Sequence, residues 1–478
     1  MTQTKLITEI MKENLPTKKP RHSLKTGVLL LVVFVPVLFH HCTQPPATSY
    51  QQIKDKADAI RVINTHEHQH WPEEFGDFTY RFYHLIHFSY LMADIVSAGG
   101  TRLDARPLDS LSLEDHWKIN GQALDHTRNT SYYGHLIKGF RRLYDFDEMY
   151  FTENNIPRLS AQIEKNYKDY RSWFDSAFHK AGFELMLLDQ YWKPFNTEID
   201  ERYFALVFNI NALVLNASSY PTPGDTSTIY QLADKEGYPM NTLDEYLTYC
   251  DHLLLKNIEH KAVCLKNTLA YSRTLNFEEI PYETARALYR KRTAGLTPVE
   301  SKQLQDFMFH WIIQKSIEFE LPIQIHTGYL AGNGNYLENG RPVKLNNLFM
   351  RYPEARFVLF HGGYPWTGEY AALGKMFPNV YLDIVWLPQI SREKAILALD
   401  EMFDCVPCNK FFWGGDCGLI EESVGSLEYG KEVLSEVLAR RIERGLLTEE
   451  VAYDIVRKVL RENAIEFFRL EERLGRSL

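Results

Sequence analysis

The chain has 478 residues, 45% hydrophobic and 24% charged, the make-up of an ordinary globular protein long enough for one large barrel or two domains of common size. A formal charge of −9, with no basic block beyond the N-terminus, excludes a general nucleic-acid binder. Six cysteines in a chain this long exclude a disulfide framework.

Residues 1–49 read as a targeting segment and linker. Lys18, Lys19, Arg21 and Lys25 precede the apolar run Val28–Phe39, which Pro36 interrupts and which ends just before Cys42. Such a run is too short to span a bilayer comfortably and suits the apolar core of an export signal. The expectation is an exported protein, periplasmic or membrane-anchored, that meets the membrane only through this segment. Cys42 is a candidate lipidated residue, although Phe39-His40-His41 lacks the small residues usual before such a site.

Residues 50–478 read as one domain. Tyr50–Ile60 is patterned as a short amphipathic helix and Arg61–Ile63 as a buried strand. Residues 77–182 then show helical periodicity without a convincing strand; the candidate helices are Phe78–Ser97, Leu113–Leu124, Ser131–Leu143 and Ile156–Lys180. Inserted after the first strand, this segment would cap the mouth of a barrel. Its His84 and His87, three apart on one helix face, read as core or surface histidines.

From Gly182 the pattern becomes strand, loop, helix. Apolar runs at Phe183–Leu188, Tyr203–Phe208, Ala262–Leu265, Pro322–Ile325, Arg356–Phe360, Val380–Leu382 and Lys410–Trp413 join Arg61–Ile63 to make eight strands. Helices Leu243–Lys256 and Pro298–Glu318 fall between them, the second announced by Thr297, Pro298 and Glu300 in capping-box positions. Leu427–Arg444 and Thr448–Leu460 would complete an outer ring. Eight alternating units imply a parallel sheet closed into a (β/α)8 TIM barrel, of class α/β, with a large helical insertion after strand 1. Cys405-Val-Pro-Cys408 has redox-motif spacing but reads as two half-buried loop cysteines.

Active sites of such barrels lie at the C-terminal ends of the strands. Those positions hold His66 and His68, Lys266, His326, His361 and Asp416. His66 and His68 share one face of a strand, since side chains i and i+2 point the same way. Four histidines and an aspartate at corresponding strand ends predict a site for a divalent metal. Tyr329, Trp366 and Trp386 follow strands five to seven and either line the pocket or pack the loops. Asp383, ending strand seven, is placed to orient a histidine ligand. Glu67 and His70 read as structural.

The stretches Asn64-Thr-His66-Glu-His68, Ile325-His326-Thr-Gly328, Phe360-His361-Gly-Gly363, Asn379-Val-Tyr-Leu-Asp383, Gly414-Gly-Asp416 and Glu462-Asn463-Ala464 resemble the amidohydrolase superfamily, in its amidohydrolase-related branch. The resemblance covers roughly residues 60–70 and 180–470. Residues 77–182 are unmatched, although the uronate isomerases, a distant branch, also carry a helical insert after strand one. Asn64 stands where the family usually has an acidic residue.

The resemblance implies His66, His68, His326 and Asp416 as ligands of one divalent ion, most simply Zn2+, with His361 left to polarise the substrate. It further implies that the ion lowers the pKa of water towards about 7, that Asp416 shuttles the proton, and that the substrate is a small molecule with an amide, lactone or ester carbonyl. Lys266 is open to two readings. Carbamylated, it would bridge two ions; charged, it would bind a substrate carboxylate, with Arg273 as a candidate helper. The mononuclear site with charged Lys266 is preferred. Non-oxidative decarboxylation or uronate-type isomerisation on the same barrel are the alternatives, and a non-catalytic exported binding protein is the reading from outside enzymology. Oligomeric state is not legible.

Overall fold

The computed structural model describes residues 48–74, 78–219 and 229–478. The basic stretch, the apolar run Val28–Phe39 and Cys42 lie outside the described residues. Among the described residues no helix is long and apolar enough to cross a membrane.

Eight parallel strands stand in sequence order: β1 Val62–Glu67, β2 Phe183–Asp189, β3 Phe204–Asn209, β4 Cys264–Asn267, β5 Ile323–Ile325, β6 Phe357–Leu359, β7 Val380–Asp383 and β8 Phe411–Phe412. Backbone bonds from Thr65 N to Trp413 O (3.2 Å) and from Asp416 N to His66 O (2.8 Å) tie the last strand to the first. This is the expected (β/α)8 barrel. Two strands run further than their apolar residues alone suggested. β1 continues through Asn64, Thr65, His66 and Glu67, all buried, and β4 takes in Lys266 and Asn267. Hydrophobicity stops where side chains turn polar. The ladder goes on, because most of these polar side chains find partners on other strand ends, as Thr65 does with Asp383 and Lys266 with His66.

Helix α1 (Ser49–Asp58) leads into β1, its first turn capped by the Thr48 hydroxyl, which accepts from Gln51 N. Between β1 and β2 lie α2 (Phe82–Phe88), α3 (Leu91–Ser97), α4 (Ala105–Ser110), α5 (Leu113–His126), α6 (Ser131–Tyr144), α7 (Ile156–Tyr167) and α8 (Tyr170–Ala181). Two helices expected to be continuous are each broken. Phe78–Ser97 becomes α2 and α3, because Ser89 turns extended and Tyr90 N donates to the buried Glu422 carboxylate at 2.8 Å. Ile156–Lys180 becomes α7 and α8, since Asp169 leaves the helix to accept from Ser172 N as a new N-cap. The helix Pro298–Glu318 has the expected bounds and both bonds of its capping box.

The long helix after β8 runs Ile420–Glu443, seven residues earlier than its periodicity suggested, because its polar first turn is buried against the insertion. Glu421 accepts from Tyr144 Oη (2.6 Å), Trp173 Nε1 (2.9 Å) and Tyr167 Oη (2.9 Å), so three segments of the insertion converge on one carboxylate. Helix α6 crosses the same helix at backbone contact. A Cβ on Gly139 would lie 2.0 Å from the Glu421 carbonyl oxygen, and one on Gly425 2.0 Å from that of His135. Only glycine permits this approach, and it brings the insertion onto the end of the barrel where β8 delivers Asp416.

Candidate metal centre

At the C-terminal ends of β1 and β8, His66 Nε2, His68 Nε2 and the Asp416 carboxylate converge. Asp416 Oδ1 lies 3.1 Å from each of the two imidazole nitrogens. That spacing suits three donors around one small cation at the usual zinc bond lengths of about 2 Å. His68 Nδ1 lies 2.8 Å from the Asp189 carbonyl oxygen and donates to it, which fixes the tautomer and leaves the Nε2 lone pair facing His66 and Asp416. His66 Nδ1 is buried with no hydrogen-bond partner. The donor set therefore fits a divalent metal.

A polar frame holds these donors. Asn64 Oδ1 accepts from Gly415 N (2.9 Å) and its amide donates to Glu67 (2.6 Å), while Glu67 Oε2 accepts from Cys417 N (2.7 Å). Glu67 is thus bracing for the Asp416 loop, as its structural reading expected. Asp383 accepts from the Thr65 hydroxyl (2.5 Å) and from Val385 N (2.9 Å). It braces two strand ends, and among the described residues the hydrogen bonds of its carboxylate go to Thr65 and Val385 rather than to a histidine. His361, Trp386 and Asp416, each just past the end of β6, β7 or β8, all adopt left-handed backbone, with φ of 65°, 62° and 60°. Strain of this kind, gathered at three neighbouring strand ends, is characteristic of functional sites.

The electrostatics keep His66 and Asp416 in the protonation states a metal needs, while the acidic surroundings of His68 pull it the other way. Burial, then the Lys266 ammonium, hold His66 well below the ordinary histidine range, so its ring is neutral. Burial would raise Asp416, but the neighbouring imidazoles outweigh it and keep the carboxyl well below its usual value. Burial would lower His68, yet its bonds to Asp416 and Asp189 raise it. Lys266, fully buried, has its Nζ 3.3 Å from His66 Nε2 and 3.4 Å above the centre of the Phe360 ring. Burial draws its ammonium down to about 8, against the pull of Asp416, Asp189 and Asp383.

Three of the expected site residues stand apart from the converging donors. His326 does not join the converging donors. Its Nε2 lies 2.7 Å from the Tyr329 carbonyl oxygen and its Nδ1 2.9 Å from His361 Nε2, so both nitrogens are engaged elsewhere. His361 is fully buried, and its Nδ1 lies 3.2 Å from the Val385 carbonyl oxygen and 3.9 Å from Asp416 Oδ2. It supports His326 and the Asp416 side of the site and presents no free nitrogen to a substrate. Arg273 is committed to structure: it pairs with the fully buried Asp306 and donates to the Asn276 and Thr274 carbonyls.

Of the aromatic candidates, Trp386 packs against His361 (ring centres 5.1 Å apart) and Tyr329 (5.6 Å), whereas Trp366 heads the helix Thr367–Met376. His84 and His87 belong to α2. Cys405 and Cys408 are unpaired.

Four site residues escaped the sequence reading. Asp189 ends β2, one residue past a strand already recognised, so the strand-end rule could have found it. Tyr191, exposed and edge-on to His68 (5.0 Å), and Tyr271, edge-on to His326 (4.8 Å), follow β2 and β4 and carried only their loop positions as a signal. Tyr90 comes from the insertion, where no strand end marks it.

Residues 277–470 match the model of the amidohydrolase family. The His326, His361 and Asp416 motifs fall within that stretch, and the amidohydrolase resemblance read from the sequence holds. Over 194 residues the chain is 30% identical to the protein fluG of Emericella nidulans, a match covering 38% of this chain and 22% of that protein. The chain thus spans about a fifth of that relative's length. A uronate isomerase from Thermotoga maritima superposes with a TM-score of 0.70 at 15% identity, covering 88% of this chain and 97% of the other. A glucuronate isomerase from Caulobacter crescentus gives a TM-score of 0.69 at 14% identity, covering 89% and 95%. Identities this low establish a shared fold.

Proposed function

We propose that this chain is a metal-dependent hydrolase acting on a small carbonyl substrate, an amide, lactone or ester, with one divalent ion, preferably zinc, held by His66, His68 and Asp416. The observation that carries the reading is the convergence of three donor atoms from β1 and β8 on one point. Three protein donors leave coordination room, the mark of a catalytic rather than a structural metal site. A bound ion there would lower the pKa of water towards about 7 and polarise the substrate carbonyl.

The chain's own groups do the rest. Asp416, kept ionised by its imidazole neighbours, accepts the proton of the attacking water and returns it to the leaving group. His66 is a neutral donor, and His68, held in place by the Asp189 carbonyl, would be kept neutral by the bound ion itself. Lys266 offers positive charge beside His66, either to the developing oxyanion or to a substrate carboxylate. The uronate isomerase folds support a sugar-acid isomerase as the second reading. With Arg273 committed to Asp306, that reading would rest its carboxylate recognition on Lys266.

The test is metal content. The purified protein should carry about one equivalent of a divalent ion, as expected of a single three-donor site, and the double variant His66→Ala/His68→Ala should carry none and turn over nothing. Full occupancy in the double variant would remove the assignment. Screening lactones, acylated sugars and uronates with loaded enzyme then separates hydrolysis from isomerisation.

A further inference from the structure

We infer that Tyr90, supplied by the helical insertion, is a positioning residue of the metal centre, acting through the backbone of Asp416. The inference rests on the metal reading above. Asp416 sits in left-handed backbone, φ 60°, a conformation that an L-residue keeps only when its surroundings impose it. Its two peptide groups are pinned from opposite sides. Its N–H donates to the His66 carbonyl at 2.8 Å, which is barrel holding barrel. Its carbonyl oxygen accepts from the Tyr90 hydroxyl at 2.5 Å, which is insertion holding barrel.

Tyr90 is itself fixed at three points. Its backbone N–H donates to Glu422 on the helix after β8 (2.8 Å), its ring lies 4.6 Å from that of Trp386, and it stacks on Tyr132 of α6 at 5.5 Å and 19°. The break between α2 and α3 at Ser89 and Tyr90 follows from this anchoring, since a continuous helix would keep Tyr90 N within its own hydrogen-bond ladder. The hydroxyl therefore reports the seating of the insertion to the one carboxylate that His66 and His68 face. Without it, the Asp416 carbonyl loses its partner, the left-handed turn relaxes, and Oδ1 drifts from its 3.1 Å contacts with the two imidazoles.

The test uses full-length protein stripped of metal and titrated with Zn2+ against a chromophoric chelator, with Co2+ as a visible-absorption probe of ligand geometry. Tyr90→Phe keeps the ring and its packing and loses only the hydroxyl. It should bind Zn2+ about tenfold or more weakly, the usual effect of removing a group that supports a ligand, and should shift the Co2+ bands. Tyr132→Phe, whose ring stacks on Tyr90, should change neither. Equal Zn2+ affinity and superimposable Co2+ spectra for Tyr90→Phe and wild type overturn the inference while leaving the metal reading intact. The same loss in Tyr132→Phe as in Tyr90→Phe also overturns it, because packing alone would then be responsible. A wild-type chain that binds neither ion overturns the metal reading, and this inference with it.

Discussion

The proposed function asks two things of Asp416, and they separate by substitution. As a donor to the ion it is one of three, so Asp416→Asn retains weak metal binding through His66 and His68. As a proton acceptor it has no substitute, because an amide does not take a proton at neutral pH. General acid–base contributions run to about 10²–10⁴-fold, so the asparagine variant should lose at least that much turnover with metal resupplied in excess. Near-wild-type turnover would reduce Asp416 to a ligand and reopen the search for a base. Arg273 predicts the opposite pattern. Asp306 beneath it is fully buried and, among the described residues, pairs with Lys302 as its second cation. Arg273→Leu should therefore cost about 3 kcal/mol of stability, the effect of breaking a buried pair, with KM unchanged. A raised KM at unchanged stability would return Arg273 to the substrate.

Among the elements, α2 of the insertion carries a buried titratable group with a consequence for stability. His84 on α2 is buried, its Nδ1 accepting from Arg81 N at 3.2 Å and its Nε2 3.5 Å from Asp109. Burial draws its pKa down to about 4. The unfolded chain protonates this histidine as pH falls through about 6.5, whereas the folded protein resists until about 4. Between those values the unfolded state holds the extra proton, so stability is full above the window and lost as pH falls through it. The difference is worth roughly 3 kcal/mol. His84→Gln, which keeps an acceptor for Arg81 N, should flatten that share of the acid limb in urea unfolding measured from pH 7 to pH 4. An unchanged limb would assign the acid sensitivity to other buried histidines.

On the scale of the whole molecule, the candidate site joins chain segments 350 residues apart, Glu67 bonding to Cys417 N beside the converging donors. The unfolded chain cannot hold such a site, so metal binding is also folding free energy. An ion at a hundred times its dissociation constant adds about 2.7 kcal/mol to stability. Chelation should lower the melting temperature of wild type, and resupplied metal should restore it. In His66→Ala/His68→Ala the chelator should have no effect. A chelator effect of the same size in that variant would place the stabilising ion elsewhere.

The sequence by itself determined the barrel and which polar residues stand at the ends of its strands. Eight apolar runs alternating with helices leave little choice but a closed parallel sheet, and strand ends are where such a sheet exposes polar side chains. His66, His68, Asp416 and Lys266 were legible because each lies at or just past an apolar run, and the helix Pro298–Glu318 because its cap is local. What the sequence could not carry is direction. A histidine at a strand end can turn its ring towards a metal or towards a carbonyl, and only the packed loops decided that His326 meets Tyr329 and His361 while His68 meets Asp189. Arg273 was withheld from the site by Asp306, a partner 33 residues away that no local pattern announced. The insertion's contribution was least legible of all. Tyr90 reaches Asp416 across 326 residues because α6 and the helix after β8 close to backbone contact at Gly139 and Gly425, and close approach of that kind is a property of two surfaces that neither stretch of sequence specifies alone.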